Sequence, residues 1–133
     1  METYEATPSS VGHARHSVAE LAREIGADDD AIRAISLAVT EACANVVVHA
    51  YREAGRAGDL IVTADEVHDG LMVSVLDHGL GVTPRFDSPG IGLGMPLMSQ
   101  LADKLEVRSS EGAGTEVCMR FSLASRQRLT LVA

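Results

Sequence analysis

The chain has 133 residues, 46% apolar and 23% charged, with 3% aromatics and no Trp, and its net charge is −8. That length supports one domain with a sizeable core, not two, and the acidic balance argues against direct nucleic-acid binding, which needs clustered Lys and Arg. No run of eighteen apolar residues marks a membrane span, and the N-terminus lacks the basic and apolar regions of a secretory signal, so a cytoplasmic protein with no membrane partner is expected. Cys43 and Cys118 have no metal-ligand spacing and are expected as reduced core thiols.

Residues 1–8 allow one edge strand before Pro8. Ser9 and Ser10 offer an N-cap, and Val11, Ala14, Val18, Leu21, Ala22 and Ile25 then follow helical spacing to Gly26, a residue suited to the position after a helix. Asp28 to Asp30 cap a second helix that turns Ile32, Ile35, Val39, Ala42 and Val46 inward and runs to about Tyr51. Arg52 to Asp59 reads as a loop. Leu60 to Ala64 and Leu71 to Leu76 are strands joined through His68-Asp69-Gly70. A stretch with two prolines, Val82 to Pro89, precedes a glycine-rich start to a third helix, about Met95 to Ala102. Leu105 to Arg108 is a strand, Ser109 to Gly114 a turn, and Val117, Met119 and Phe121 alternate with polar neighbours as a half-buried last strand. The tail 124–133 gives no clear signal. This order predicts an α+β sandwich, a mostly antiparallel mixed sheet with helices on one face.

Four segments carry chemistry. Glu41, Asn45 and His49 recur every four residues in the second helix, which places them on one stripe drifting about 40° per step. The residues around them are Ala, Cys and Val, so this stripe is either a thin solvated face or a site, with Glu as a base and Asn as a neutral oxygen ligand for a hard cation. Asp77-His78-Gly79-Leu80-Gly81 closes an apolar strand and suits either a turn or a carboxylate that accepts from a ligand amine. Gly90-Ile91-Gly92-Leu93-Gly94 opens a helix, where unpaired N–H groups suit phosphate. It has neither the Lys of a P-loop nor the later acidic residue of a dinucleotide fingerprint. Gly112-Ala113-Gly114-Thr115 suits a hairpin turn, with Thr115 able to place a hydroxyl near a ligand.

In this order the segments resemble the N, G1, G2 and G3 boxes of the GHKL (Bergerat-fold) ATPases, over residues 11–123. Ala38 to Asn45 with His49-Ala50-Tyr51, and the Gly94-Met95-Pro96-Leu97 helix start, are similar to the bacterial anti-sigma factor serine kinases. The resemblance implies ATP and Mg²⁺ as ligands, with Glu41 as general base toward a serine on a partner and Asn45 as the Mg²⁺ ligand. It implies that Asp77 accepts from the adenine amino group beside Gly79 and Gly81. Backbone N–H groups of Gly92, Leu93, Gly94 and Met95 would meet phosphate oxygens, and Thr115 would support adenine through water. Arg15 falls where the family carries an arginine that engages a protein partner, while Arg85 is a further cation for the phosphates. His49 matches the pattern as a packed, hydrogen-bonded residue without a chemical role. The implied partners are a sigma factor and an anti-anti-sigma protein of the STAS type, and the implied assembly is a homodimer. Two other readings stand beside this one: a nucleotide-dependent sequestering module without kinase activity, and the detached ATP-binding domain of a histidine kinase.

Overall fold

The computed structural model describes residues 1–51, 58–79, 94–110 and 113–123. Strand β1 (Glu2–Glu5) precedes helices α1 (Pro8–Glu24) and α2 (Asp29–Asn45), and a π turn (Val46–Ala50) continues α2. Then come β2 (Asp59–Val67), β3 (Gly70–Asp77), α3 (Gly94–Leu101), β4 (Lys104–Ser110) and β5 (Gly114–Ser122). The strands form one sheet in the order β1-β2-β3-β5-β4, each neighbouring pair antiparallel. Helix α2 packs against α1 and α3, and against β3 and β5 beneath it.

Local chemistry explains the helix ends. The Asp28 side chain accepts from the Ala31 N–H at 2.7 Å, and Asp29 and Asp30 fill the first turn, where acidic charge complements the helix dipole. Gly26 follows α1 with φ of 92°, a conformation that costs glycine little. The start of α1 differs from the sequence expectation. Thr7, not Ser9 or Ser10, is the N-cap, because Pro8 takes the first helical position, where its missing N–H costs nothing. Ser10 is instead buried and donates to the Glu5 carbonyl at 2.5 Å.

The core lies between α2 and one face of the sheet. Leu60, Val62, Leu71, Val73, Val75, Val117, Met119 and Phe121 all point to it and are buried. Helix α2 answers with Ile35, Ala38, Val39, Ala42 and Cys43, each at most 1% exposed. The helical run Asp29–Ala50 is long and apolar enough by composition to cross a membrane. Its apolarity has a use within the fold, since α1, α3 and the sheet all pack on it. Burial pushes the Cys43 thiol up to about 12. Cys118 is not the core thiol expected: it is half-buried, on the opposite side of β5 from Val117 and Met119.

Several boundaries also moved. β2 begins at Asp59, which was expected in the loop, and reaches Val67. β4 includes Ser109 and Ser110, expected in the turn. The segment Val82 to Pro89, Gly81, Arg85, Gly92, Leu93 and the tail 124–133 lie outside the described residues.

Candidate functional site

The sheet register places Leu60, Asp77, Thr115 and Ser109 in one row across β2, β3, β5 and β4. The next row inward is Val62, Val75, Val117 and Val107. An all-valine row is thus followed by a last row in which a carboxylate and two hydroxyls appear together. Asp77 is only 5% exposed. Its Oδ1 accepts from the Gly79 N–H at 2.8 Å, and the carboxylate also accepts from the Thr115 backbone N–H. Burial pushes its carboxyl above the usual carboxylate range, and these two N–H groups, with His78 nearby, offset part of that rise. A carboxylate can take about four hydrogen bonds, so acceptor capacity remains for a ligand donor. The hydroxyls of Ser109 and Thr115 lie 3.1 Å apart.

Close packing holds this row to its neighbours. Gly114 has φ of +90°, and a Cβ there would fall 1.9 Å from the Asp77 carbonyl oxygen. A Cβ on Gly79 would fall 2.2 Å from the Ala50 carbonyl oxygen. The turn after β3 thus rests directly on the end of the helical run that carries Glu41 and Asn45.

Those two residues stand one turn apart on α2, both half-buried. The uniform four-residue stripe ends at Asn45, because the bonding pattern widens through Val46–Ala50. His49 falls in that π turn and is half-buried. The Asn45 Nδ2 atom is buried with no hydrogen-bond partner among the described residues. Such an orphan costs about 1–3 kcal/mol unless a ligand satisfies it, and a flip of the amide brings either its oxygen or its nitrogen to that point. No group of three or more His, Cys, Asp or Glu residues that could hold a metal occurs among the described residues. The Asn45 amide oxygen suits Mg²⁺, which takes few protein ligands and completes its shell with phosphates and water.

Gly94 and Met95 open α3, where the first N–H groups have no intrahelical acceptor, and α3 packs on α2. Arg15 is exposed on α1, outside the row of Asp77, Thr115 and Ser109. The structure thus joins Asp77, Gly79 and Thr115 closely and ties them to the α2 run. Ser109 was missed by the sequence reading, although its phase with Leu105 and Val107 places it opposite Thr115.

Comparison with known proteins gives this geometry a family. A histidine kinase-like ATPase domain model matches residues 4–121. An anti-sigma F factor of Clostridium acetobutylicum is 30% identical over 122 residues, covering 84% of each chain. The serine-protein kinase RsbW of Halalkalibacterium halodurans is 33% identical over 125 residues, covering 83% of this chain and 75% of that one. The solved RsbU and RsbW domains of a Mycobacterium tuberculosis protein share the fold at a TM-score of 0.70 and 24% identity, over 91% of this chain. A histidine kinase domain from a blue-light activated kinase of Erythrobacter litoralis matches at 0.62 and 26%, over 75% of this chain. The chain spans only 30% and 48% of those two solved chains. Matched over nearly its whole length by one domain model, and by relatives named for sigma-factor control and serine phosphorylation, the chain belongs to the histidine kinase-like (GHKL) ATPase domain family, in its anti-sigma factor and serine-protein kinase branch.

Proposed function

We propose that this chain is an ATP- and Mg²⁺-dependent serine-protein kinase that phosphorylates an anti-anti-sigma protein of the STAS type and also holds a sigma factor inactive. The observation that carries the reading is the orphaned Asn45 amide one turn from Glu41, on a run that abuts the Asp77–Gly79 turn. The names of the relatives support it.

In this reading Asp77 accepts from the adenine amino group, Gly79 and Gly81 let backbone pass beside the base, and Thr115 supports it through water. The N–H groups of Gly92, Leu93, Gly94 and Met95 meet phosphate oxygens. Asn45 holds Mg²⁺, which when bound neutralises phosphate charge. Glu41 takes the proton of the partner's serine hydroxyl as that oxygen bonds to the γ-phosphorus. The bond from phosphorus to the β–γ bridging oxygen breaks, leaving ADP and phosphoserine. Arg15, exposed on α1, engages the partner protein. The working form is a cytoplasmic homodimer.

Incubation with ATP, Mg²⁺ and a purified STAS-domain partner tests this. Wild type is expected to yield acid-stable phosphoserine, identified by mass spectrometry. Glu41→Ala is expected to lower the rate by about 10²–10⁴ while ATP affinity holds. Wild-type transfer by Glu41→Ala would overturn the base assignment. Mg²⁺-dependent ATP binding without any phosphoserine would leave a sequestering module.

A further inference from the structure

Tyr51 stands where the α2 run, the start of β2 and the end of β3 meet. It follows the π turn directly. Its hydroxyl donates to the Asp59 carbonyl at 2.6 Å and accepts from the His78 N–H at 2.8 Å. Its ring lies so close over Gly58 that a Cβ there would fall 2.2 Å from it.

The sheet register gives these contacts meaning. Leu60 pairs with Asp77, the last residue pair at that end of the β2–β3 ladder. One step further, Asp59 would face His78. The Tyr51 hydroxyl instead bridges the carbonyl of one to the N–H of the other, in place of a direct rung. The chain after Asp77 leaves the sheet there. It enters a turn in which the Gly79 N–H reaches back to Asp77 Oδ1 and Gly79 presses on the Ala50 carbonyl. Two successive N–H groups, those of His78 and Gly79, are thereby committed to Tyr51 and Asp77. Removing either bond loosens the turn that aims the Asp77 carboxylate.

We infer that Tyr51 is a positioning residue of the nucleotide site, whose hydroxyl sets the Asp77–Gly79 turn against the helical run carrying Asn45. The inference rests on the proposed reading that this turn receives adenine. Phosphate recognition, assigned to Asn45 and the start of α3, does not pass through Tyr51.

Tyr51→Phe keeps the ring over Gly58 and deletes both hydrogen bonds. His78 is exposed, so water can take up its N–H and the variant is expected to fold. Adenosine affinity, from NMR titration, is expected to fall about fivefold to tenfold, the size of the single bond lost to the Asp77–Gly79 turn. Affinity for Mg²⁺-tripolyphosphate, measured by calorimetry, is expected to stay within about twofold. Amide exchange at His78 is expected to speed up about tenfold. Unchanged adenosine affinity, or parallel losses for adenosine and tripolyphosphate, would overturn the positioning role. An exchange rate at His78 equal to that of wild type would overturn the claimed bond. If wild type binds tripolyphosphate but not adenosine, the assignment of adenine to this turn fails, and this inference with it.

Discussion

Asp77, the proposed adenine acceptor, is a buried carboxylate whose charge opposes the stability of the empty protein. Burial holds its folded carboxyl above the usual carboxylate range, against the opposing N–H groups of Gly79 and Thr115. The sign follows directly: its stabilising contribution is fully present below the unfolded value and is lost as pH rises through the raised folded value. At neutral pH the empty protein therefore carries a buried charge that a donor from adenine would relieve. ATP affinity is expected to weaken as pH falls from neutral toward the raised folded pKa, as the acceptor becomes protonated, and calorimetry along that descent checks it. Asp77→Asn should cost about 1.5–3 kcal/mol of ATP binding, roughly tenfold to a hundredfold in Kd, and flatten this pH dependence. Asn45→Ala makes a different prediction. It removes an atom already unsatisfied, so the thermal midpoint without nucleotide should hold, while Mg²⁺-dependent ATP affinity drops at least about tenfold. The positions of Asp77 and Thr115 were legible because Asp77 closes an apolar strand before Gly79 and Thr115 follows Gly114 into an alternating one. Ser109 was not, because Ser-Ser before Glu-Gly reads as turn chemistry until the register with β5 is known.

The helical run from Asp29 to Ala50 shows what periodicity carries and what it does not. Its start was legible from three aspartates, and its buried face from Ile35, Val39, Ala42 and Val46. The π turn was not. Val46-Val47-Val48 is a β-branched run that weakens α-helix, but nothing in residue spacing announces a switch to wider bonding. That switch sets the position of the Ala50 carbonyl, against which Gly79 rests. Gly79→Ala should therefore destabilise the protein by about 1–3 kcal/mol, as in overpacked interiors, and weaken ATP binding as well. Urea denaturation and nucleotide titration of the same sample separate the two effects. The α1 start also differs from the expected cap at Ser9 or Ser10: Pro8 takes the first helical position and Thr7 is the N-cap, because proline opens helices as readily as it ends them.

At the scale of the whole molecule, the two-layer α+β plan followed from the order of its periodic segments. Strand order did not, since only the hairpins β2–β3 and β4–β5 join sequence neighbours, while β3–β5 and β1–β2 pair across intervening helices. Binding to the folded state alone predicts that MgATP at about a hundred times its Kd adds about 2.7 kcal/mol of stability, a rise in thermal midpoint of roughly 8–12 °C. Omitting Mg²⁺ should remove most of that rise, which a melting series with a chelator checks. The place of β3 in the sheet has a further consequence. Both of its edges are bonded, to β2 and β5, and its inner face is sealed by the core. Its amides should be among the last in the protein to exchange with deuterated solvent, whereas His78, one residue beyond its end and held through the Tyr51 hydroxyl, is expected to exchange sooner. The proposed base-binding carboxylate is thus expected at a step in local unfolding energy, where nucleotide would come and go while the sheet that holds Asp77 stays shut.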